Sequence, residues 1–214
     1  MNLIRAIWSV ALLLFISALG CSGDDSISVS SPRYSELSDS SFAVGDSSVL
    51  EISNFAGKVD VTSGNPHVVH VVAKKWAGRQ GDLDEIEVEM VELQNGVHVG
   101  TASPSGLNNV SVDLAVTVPT DLRPNLQAGA GTISYKGRAE GECFFAVSAG
   151  SITLRLPADV NVEVYLSVAA GTIRVDFPVT GQIGAHVVDG IIGTGVDGRI
   201  VAQVGAGNII VTSQ

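Results

Sequence analysis

Cysteine is nearly absent: Cys21 and Cys143 are the only two in 214 residues. A chain so poor in thiols has no disulfide framework, and neither a CxxC pair nor Cys/His zinc spacing occurs in it. Cations are scarce too. Twelve Lys and Arg stand against 22 Asp and Glu, a formal charge of −10. A surface that acidic repels phosphate backbones and anionic headgroups, which excludes nucleic acid as a partner and means that any membrane attachment needs an anchor other than charge. Aromatic residues make up 5 %, and no helical period is found after residue 21. The motifs of chemistry are missing as well: there is no GxSxG elbow, no P-loop, no HExxH and no calcium-binding Gly-Gly-x-Gly-x-Asp repeat. His67 and His70 are three apart, on opposite faces of a strand, so they cannot share a metal. His98 and His186 stand apart from them. No catalytic residue, metal or cofactor is assigned, and the chain is read as not an enzyme.

What is abundant is glycine, 24 residues, together with Val, Ile, Ser and Thr. That balance predicts an all-β protein rich in turns. Alternation supports it. In "NVSVDLAVTVP", Val110, Val112, Leu114, Val116 and Val118 fall on one face. In "DEIEVEMVEL", Ile86, Val88 and Met90 point inward, and Glu85, Glu87 and Glu89 form a solvated row.

A repeat overlies this alternation. Gly131, Gly150, Gly171, Gly190 and Gly207 are each followed two places on by isoleucine: Ile133, Ile152, Ile173, Ile192 and Ile209. Three places before each glycine stands Ala128, Val147, Val168, Val187 or Val204. Gly57, with Val59 after it, is a weaker member, and at Gly96 the pattern breaks. A period of about 19 residues is the mark of a repeat architecture, in which each turn of chain buries its apolar face only against the next. The expected fold is a β-solenoid of short coils, with glycine at a sharp corner and the isoleucines stacked in chain order. The alternative is an antiparallel β-sandwich, for which "VDG" at Val188–Gly190 and Val196–Gly198 would supply hairpin turns.

These units, with "VLEISNFAGKVDVTSG" and the strand end at Val118-Pro119, resemble the DUF4097 family of adhesin-like β-strand-repeat domains. The resemblance covers about Val49 to Gln214. Members typically carry Asp after the glycine, where this chain reads Ala-Gly-Thr-Ile at Ala170–Ile173 and Ala-Gly-Ser-Ile at Ala149–Ile152. The resemblance implies a secreted or envelope β-repeat domain and brings no catalytic residues with it.

The N-terminus supplies the anchor that the charge demands. "MNLIRAIWSVALLLFISALGC" has Arg5, an apolar run from Ala6 to Leu19, then Gly20-Cys21, the order of a secretory signal. The run is short for a membrane-spanning helix. "SALGC" resembles a bacterial lipobox, which makes Cys21 the lipidated first residue of the mature protein. With Cys21 acylated, Cys143 has no intramolecular partner and reads as a buried structural thiol. The expected organisation is a signal peptide over 1–20, a lipidated Cys and Ser/Asp-rich tether over 21–47, and a β-repeat domain over 48–214.

Two classes of function follow. The first is a lipid-anchored binding or structural module of the bacterial envelope, facing the periplasm or the surface, with an envelope protein or a glycan as partner. Its expected contact patch is Lys74, Lys75, Trp76 and Arg79, a knot of cations about a tryptophan. The second is a secreted carbohydrate-active β-helix enzyme, which the dispersal of the acidic residues disfavours. Because "NIIVTSQ" closes the chain on an apolar strand, the last coil must either be covered by another segment or meet a partner, and weak self-association is expected.

Overall fold

The structure, a computed structural model, describes residues 34–64 and 67–214. Among these residues there is one helix, α1 (Gln80–Asp84), and twelve strands. They are β1 (Tyr34–Ala43), β2 (Val49–Ser63), β3 (Val68–Ala77), β4 (Glu87–Leu93), β5 (Gly96–Ala102), β6 (Val110–Val118), β7 (Arg123–Lys136), β8 (Gly141–Leu156), β9 (Val162–Val175), β10 (Val179–Ile183), β11 (Val187–Ile192) and β12 (Gly198–Ser213). The fold is all-β, one large mixed sheet that does not close into a barrel.

Its heart is five long strands lying parallel and in register: β2, β7, β8, β12 and β9. Each is bent at a glycine. In β8 the inward residues are Cys143, Phe145 and Val147 before the bend, and Ile152, Leu154 and Leu156 after it. Strict alternation would keep all of these at even spacing. The step from Val147 to Ile152 is odd, so one residue too many is accommodated at the corner and both arms face the same core. The same five-residue step separates Asn54 from Val59, Ala128 from Ile133, Val168 from Ile173 and Val204 from Ile209.

The corners stack. Gly57, Gly131, Gly150, Gly207 and Gly171 are paired in turn, each with positive φ. A Cβ on Gly150 (φ 141°) would overlap the carbonyl oxygen of Gly131. Glycine is therefore required twice at this corner, for its conformation and for the close approach of the neighbouring backbone. Val59, Ile133, Ile152, Ile209 and Ile173 form the ladder behind it.

Two details of the repeat differ from expectation. Gly190 is not a corner. It lies in β11, which runs antiparallel to β9 and places Gly190 opposite Val164 and Gly181, although Ile192 is buried as expected. The weaker member Gly57 is a corner. Nor do the coils follow chain order: β12 slides between β8 and β9 and pairs along its length with both. The final apolar strand is thus covered by other segments of its own chain.

Short links carry the chain from β6 to β7, from β7 to β8 and from β8 to β9. Leu122, Ala139 and Val160 point into the core. The Arg138 guanidinium bonds Asp159 at 2.9 Å and lies 3.7 Å from Asp197. That hydrogen bond holds the Asp159 carboxyl below its ordinary range. At the other end of the stack β2 has two neighbours on one side, β5 along its first arm and β6 along its second. Buried Asn54 sits at the fork. Its Nδ2 donates to the Val112 carbonyl at 2.9 Å, and its Oδ1 accepts the Thr101 hydroxyl at 2.6 Å. The sheet continues from β6 to β3 and ends at β1.

β1 revises the expected domain boundary. Tyr34–Ala43 falls in the predicted tether, yet it pairs with β3 along its whole length. Its inward face is Glu36, Ser38, Ser40 and Phe42, of which only Phe42 reaches the core, so it carries no apolar alternation to be read.

Candidate binding trough

The parallel register decides what the outer surface looks like, because each position on a first arm is repeated on the next strand. Three outward rows cross the stack. Glu142, Arg199 and Glu163 lie side by side on β8, β12 and β9, alternating in charge. Two residues further along come Phe144, Val201 and Tyr165, all half-buried, with Asn125 beside Phe144. Two further still come Ser53, Gln127, Ala146, Gln203 and Ser167, across all five long strands.

This last row lies along a trough of about 760 Å³ that follows the corners. Gly129, Ser148, Gly205 and Ala169, the residues displaced from the ladder at the bend, form one wall. The side chains that line it are hydroxyls, amides and small apolar groups, and none is ionisable. In a chain of net charge −10, that is a neutral strip. Backbone groups on the outward row are engaged in the parallel ladder, so that row presents side chains, chiefly Gln127, whose Nε2 donates to Asn125 Oδ1 at 3.3 Å, Gln203 and the serines.

The contact patch expected from sequence comes apart in the structure. Lys74 and Trp76 share the outer face of β3, with the Lys74 Nζ 3.8 Å from the indole centroid. The indole Nε1 donates to Asp113 Oδ2 at 2.8 Å, and Asp113 Oδ1 accepts the Lys58 backbone N–H at 2.9 Å. Lys58 is itself paired with Asp60. Lys75 points the other way, toward Glu36 at 3.5 Å and the Leu83 carbonyl. Arg79 stands at the N-cap position of α1, and its side chain makes no capping hydrogen bond. Trp76 is therefore a half-buried strand residue tied down by its neighbours; Lys74 shares its face, while Lys75 and Arg79 do not converge with it on one surface.

The histidines are dispersed. His67 precedes β3 and lies 3.5 Å from Asp46, His70 bonds the Ser41 hydroxyl at 3.0 Å, and His98 lies 3.6 Å from Glu51. Cys143 is fully buried, and its thiol is pushed up to about 12 by that burial. Cys21 lies outside the described residues.

The outward aromatics were missed by the sequence reading, though the signal was there. In "ECFFAV", once Cys143 and Phe145 are inward, Phe144 must be outward. In "VEVYLSV", inward Val164 and Leu166 put Tyr165 outside.

No family model matches this chain, and no curated protein matches it. Among solved structures the chain is similar to a putative cell adhesion protein from Clostridium sporogenes ATCC 15579, with a TM-score of 0.50 and 11 % identity over 84 % of this chain and 100 % of the other. A putative adhesin from Bacteroides fragilis NCTC 9343 also aligns, at 9 % identity over 82 % of this chain and 97 % of that one, with a TM-score of 0.28 that supports no further comparison. At such identities the likeness is one of fold.

Proposed function

We propose that this chain is a non-catalytic binding module of the adhesin-like β-repeat type, held at the bacterial cell envelope by a lipid on Cys21. The observation that carries the reading is the trough: five parallel strands in register hold a long, uncharged row of amides and hydroxyls on a rigid face. A rigid repeat face is suited to engaging extended partners without a deep pocket. Retaining or inverting glycosidic hydrolysis needs a pair of carboxyl groups about the scissile bond, and the trough presents amides where that pair would stand.

The anchor is supported by the order of the first 21 residues, and the DUF4097 resemblance by the stacked glycine–isoleucine corners. The described fold includes β1 from Tyr34, so a spacer between lipid and domain is sought before that strand.

Intact mass of the mature protein extracted from membranes, beside that of a Cys21→Ser variant, tests the anchor. A chain that starts at residue 21 and carries acyl groups absent from the variant is the expected result. Cleavage without acylation would make the protein a soluble exported one. Retention of the purified domain on envelope preparations tests binding, and release of reducing ends from polysaccharide would overturn the non-catalytic reading.

A further inference from the structure

We infer that the trough and the aromatic row beside it form a binding site for an extended neutral glycan laid across the strands. This rests on the reading of the chain as a binding module and goes further by naming the ligand class and the residues that hold it.

Direction is the first argument. The trough crosses the strands, so a ligand in it advances by one strand spacing, about 4.8 Å, per coil. That is close to the advance of one pyranose residue in an extended chain, so consecutive sugars would meet consecutive coils in similar surroundings.

Chemistry is the second. Phe144 and Tyr165 lie on β8 and β9 with Val201 of β12 between them, which puts the two rings about 10 Å apart, two strand spacings. Half-buried rings on a flat face offer the apolar faces of alternate sugars something to pack against. Beside them the carboxamides of Gln127 and Gln203 flank Ala146. Each carboxamide has two N–H donors and an acceptor, the complement that vicinal hydroxyls require, and in Gln127 one donor is directed to Asn125 Oδ1 at 3.3 Å. Ser53 and Ser167 extend the polar row at its two ends.

Charge is the third. The lining has no ionisable group, and the chain bears −10, so a polyanion is repelled at long range, and Arg199 beside the aromatic row stands between Glu142 and Glu163. An extended polypeptide is the other linear candidate. Peptides gain most from pairing with a free strand edge, whereas β7, β8 and β12 have a paired strand on each side and offer the trough no such edge.

Titration calorimetry of the folded domain against cellohexaose and chitohexaose, with a polygalacturonate oligomer as the anionic control, tests the proposal. Saturable binding of at least one neutral hexasaccharide is expected, with the polyanion silent. Tyr165→Ala and the double variant Gln127→Ala/Gln203→Ala should each weaken it at least about tenfold, while Trp76→Ala, on β3 and outside the trough lining, leaves it unchanged. Melting curves of the variants check that they fold; Gln127 and Gln203 are exposed, so their removal is expected to leave the core intact. Binding that survives the trough variants would overturn the site. Failure of both hexasaccharides to bind, while the wild-type domain is still retained by envelope preparations, would overturn the glycan and leave the binding module standing. Loss of that retention as well would remove both.

Discussion

Gly150 shows how much a position without a side chain can decide. Its φ of 141° and the carbonyl of Gly131 against it leave no volume for a methyl group. Gly150→Ala is expected to destabilise the domain by at least about 2 kcal/mol, lowering the melting temperature by several degrees. The same change at exposed Gly45, which has open space about it, should be nearly neutral. Cys143 gives a second prediction. Burial raises its thiol to about 12 from an ordinary 9.0, so the folded state keeps a proton that the unfolded state releases. The resulting stability is complete below about pH 9 and fades as pH climbs toward 12. Buried Tyr135 is shifted in the same direction. Melting temperature should therefore fall above pH 9, with the onset moved upward in Cys143→Val, and a maleimide should label the thiol only once the chain unfolds. At this scale the inward residues were legible, because alternation and burial are the same fact. The patch about Trp76 was misread by treating neighbours in sequence as neighbours on a surface. Period two already divides Lys74 and Trp76 from Lys75, and it also places Phe144 and Tyr165 outside.

Among the elements, β1 and β11 were the hardest to read. β1 has serine where an inward apolar residue would announce a strand. It owes its place to the free edge of β3 and to the lone anchor Phe42. Removing residues 34–43 should uncover that edge and lower the melting temperature, whereas loss of a mere tether would leave it unchanged; scanning calorimetry of the two forms decides between them. β11 carries the glycine–isoleucine signature and yet belongs to a hairpin with β10. The signature records that glycine is tolerated and isoleucine is buried, and both hold there. Gly190 has a neighbouring carbonyl against it too, that of Thr180, but lacks the positive φ of the corners; a corner needs that φ beside a parallel strand bent at the same place, and that neighbour is a tertiary fact. Gly57 had the neighbour without the isoleucine.

For the molecule as a whole, the exposed flank is β9 rather than the last strand. Its second arm pairs with β12 alone, since β11 covers only residues 162–167. Ile173 and Val175 are left half-buried, while Ile133, Ile152 and Ile209 of the same ladder are fully buried. Sedimentation over a concentration series is expected to show weak self-association through this edge, and Val175→Lys should hold the protein monomeric. An unchanged monomer at high concentration would rule it out. Self-association was thus an expectation reached from the wrong strand: the sequence showed that one end of the stack is apolar, and chain order misplaced it.

The seating of β12 has a bearing on how such a protein is made. In a stack built in chain order, a ribosome or an export channel delivers one finished layer after another, and a shortened chain is a shorter rod. Here β8 and β9 are emitted in succession but are not neighbours in the finished sheet, because β12, which follows both in the chain, lies between them. The seam between them is therefore sealed only after β12 has been delivered.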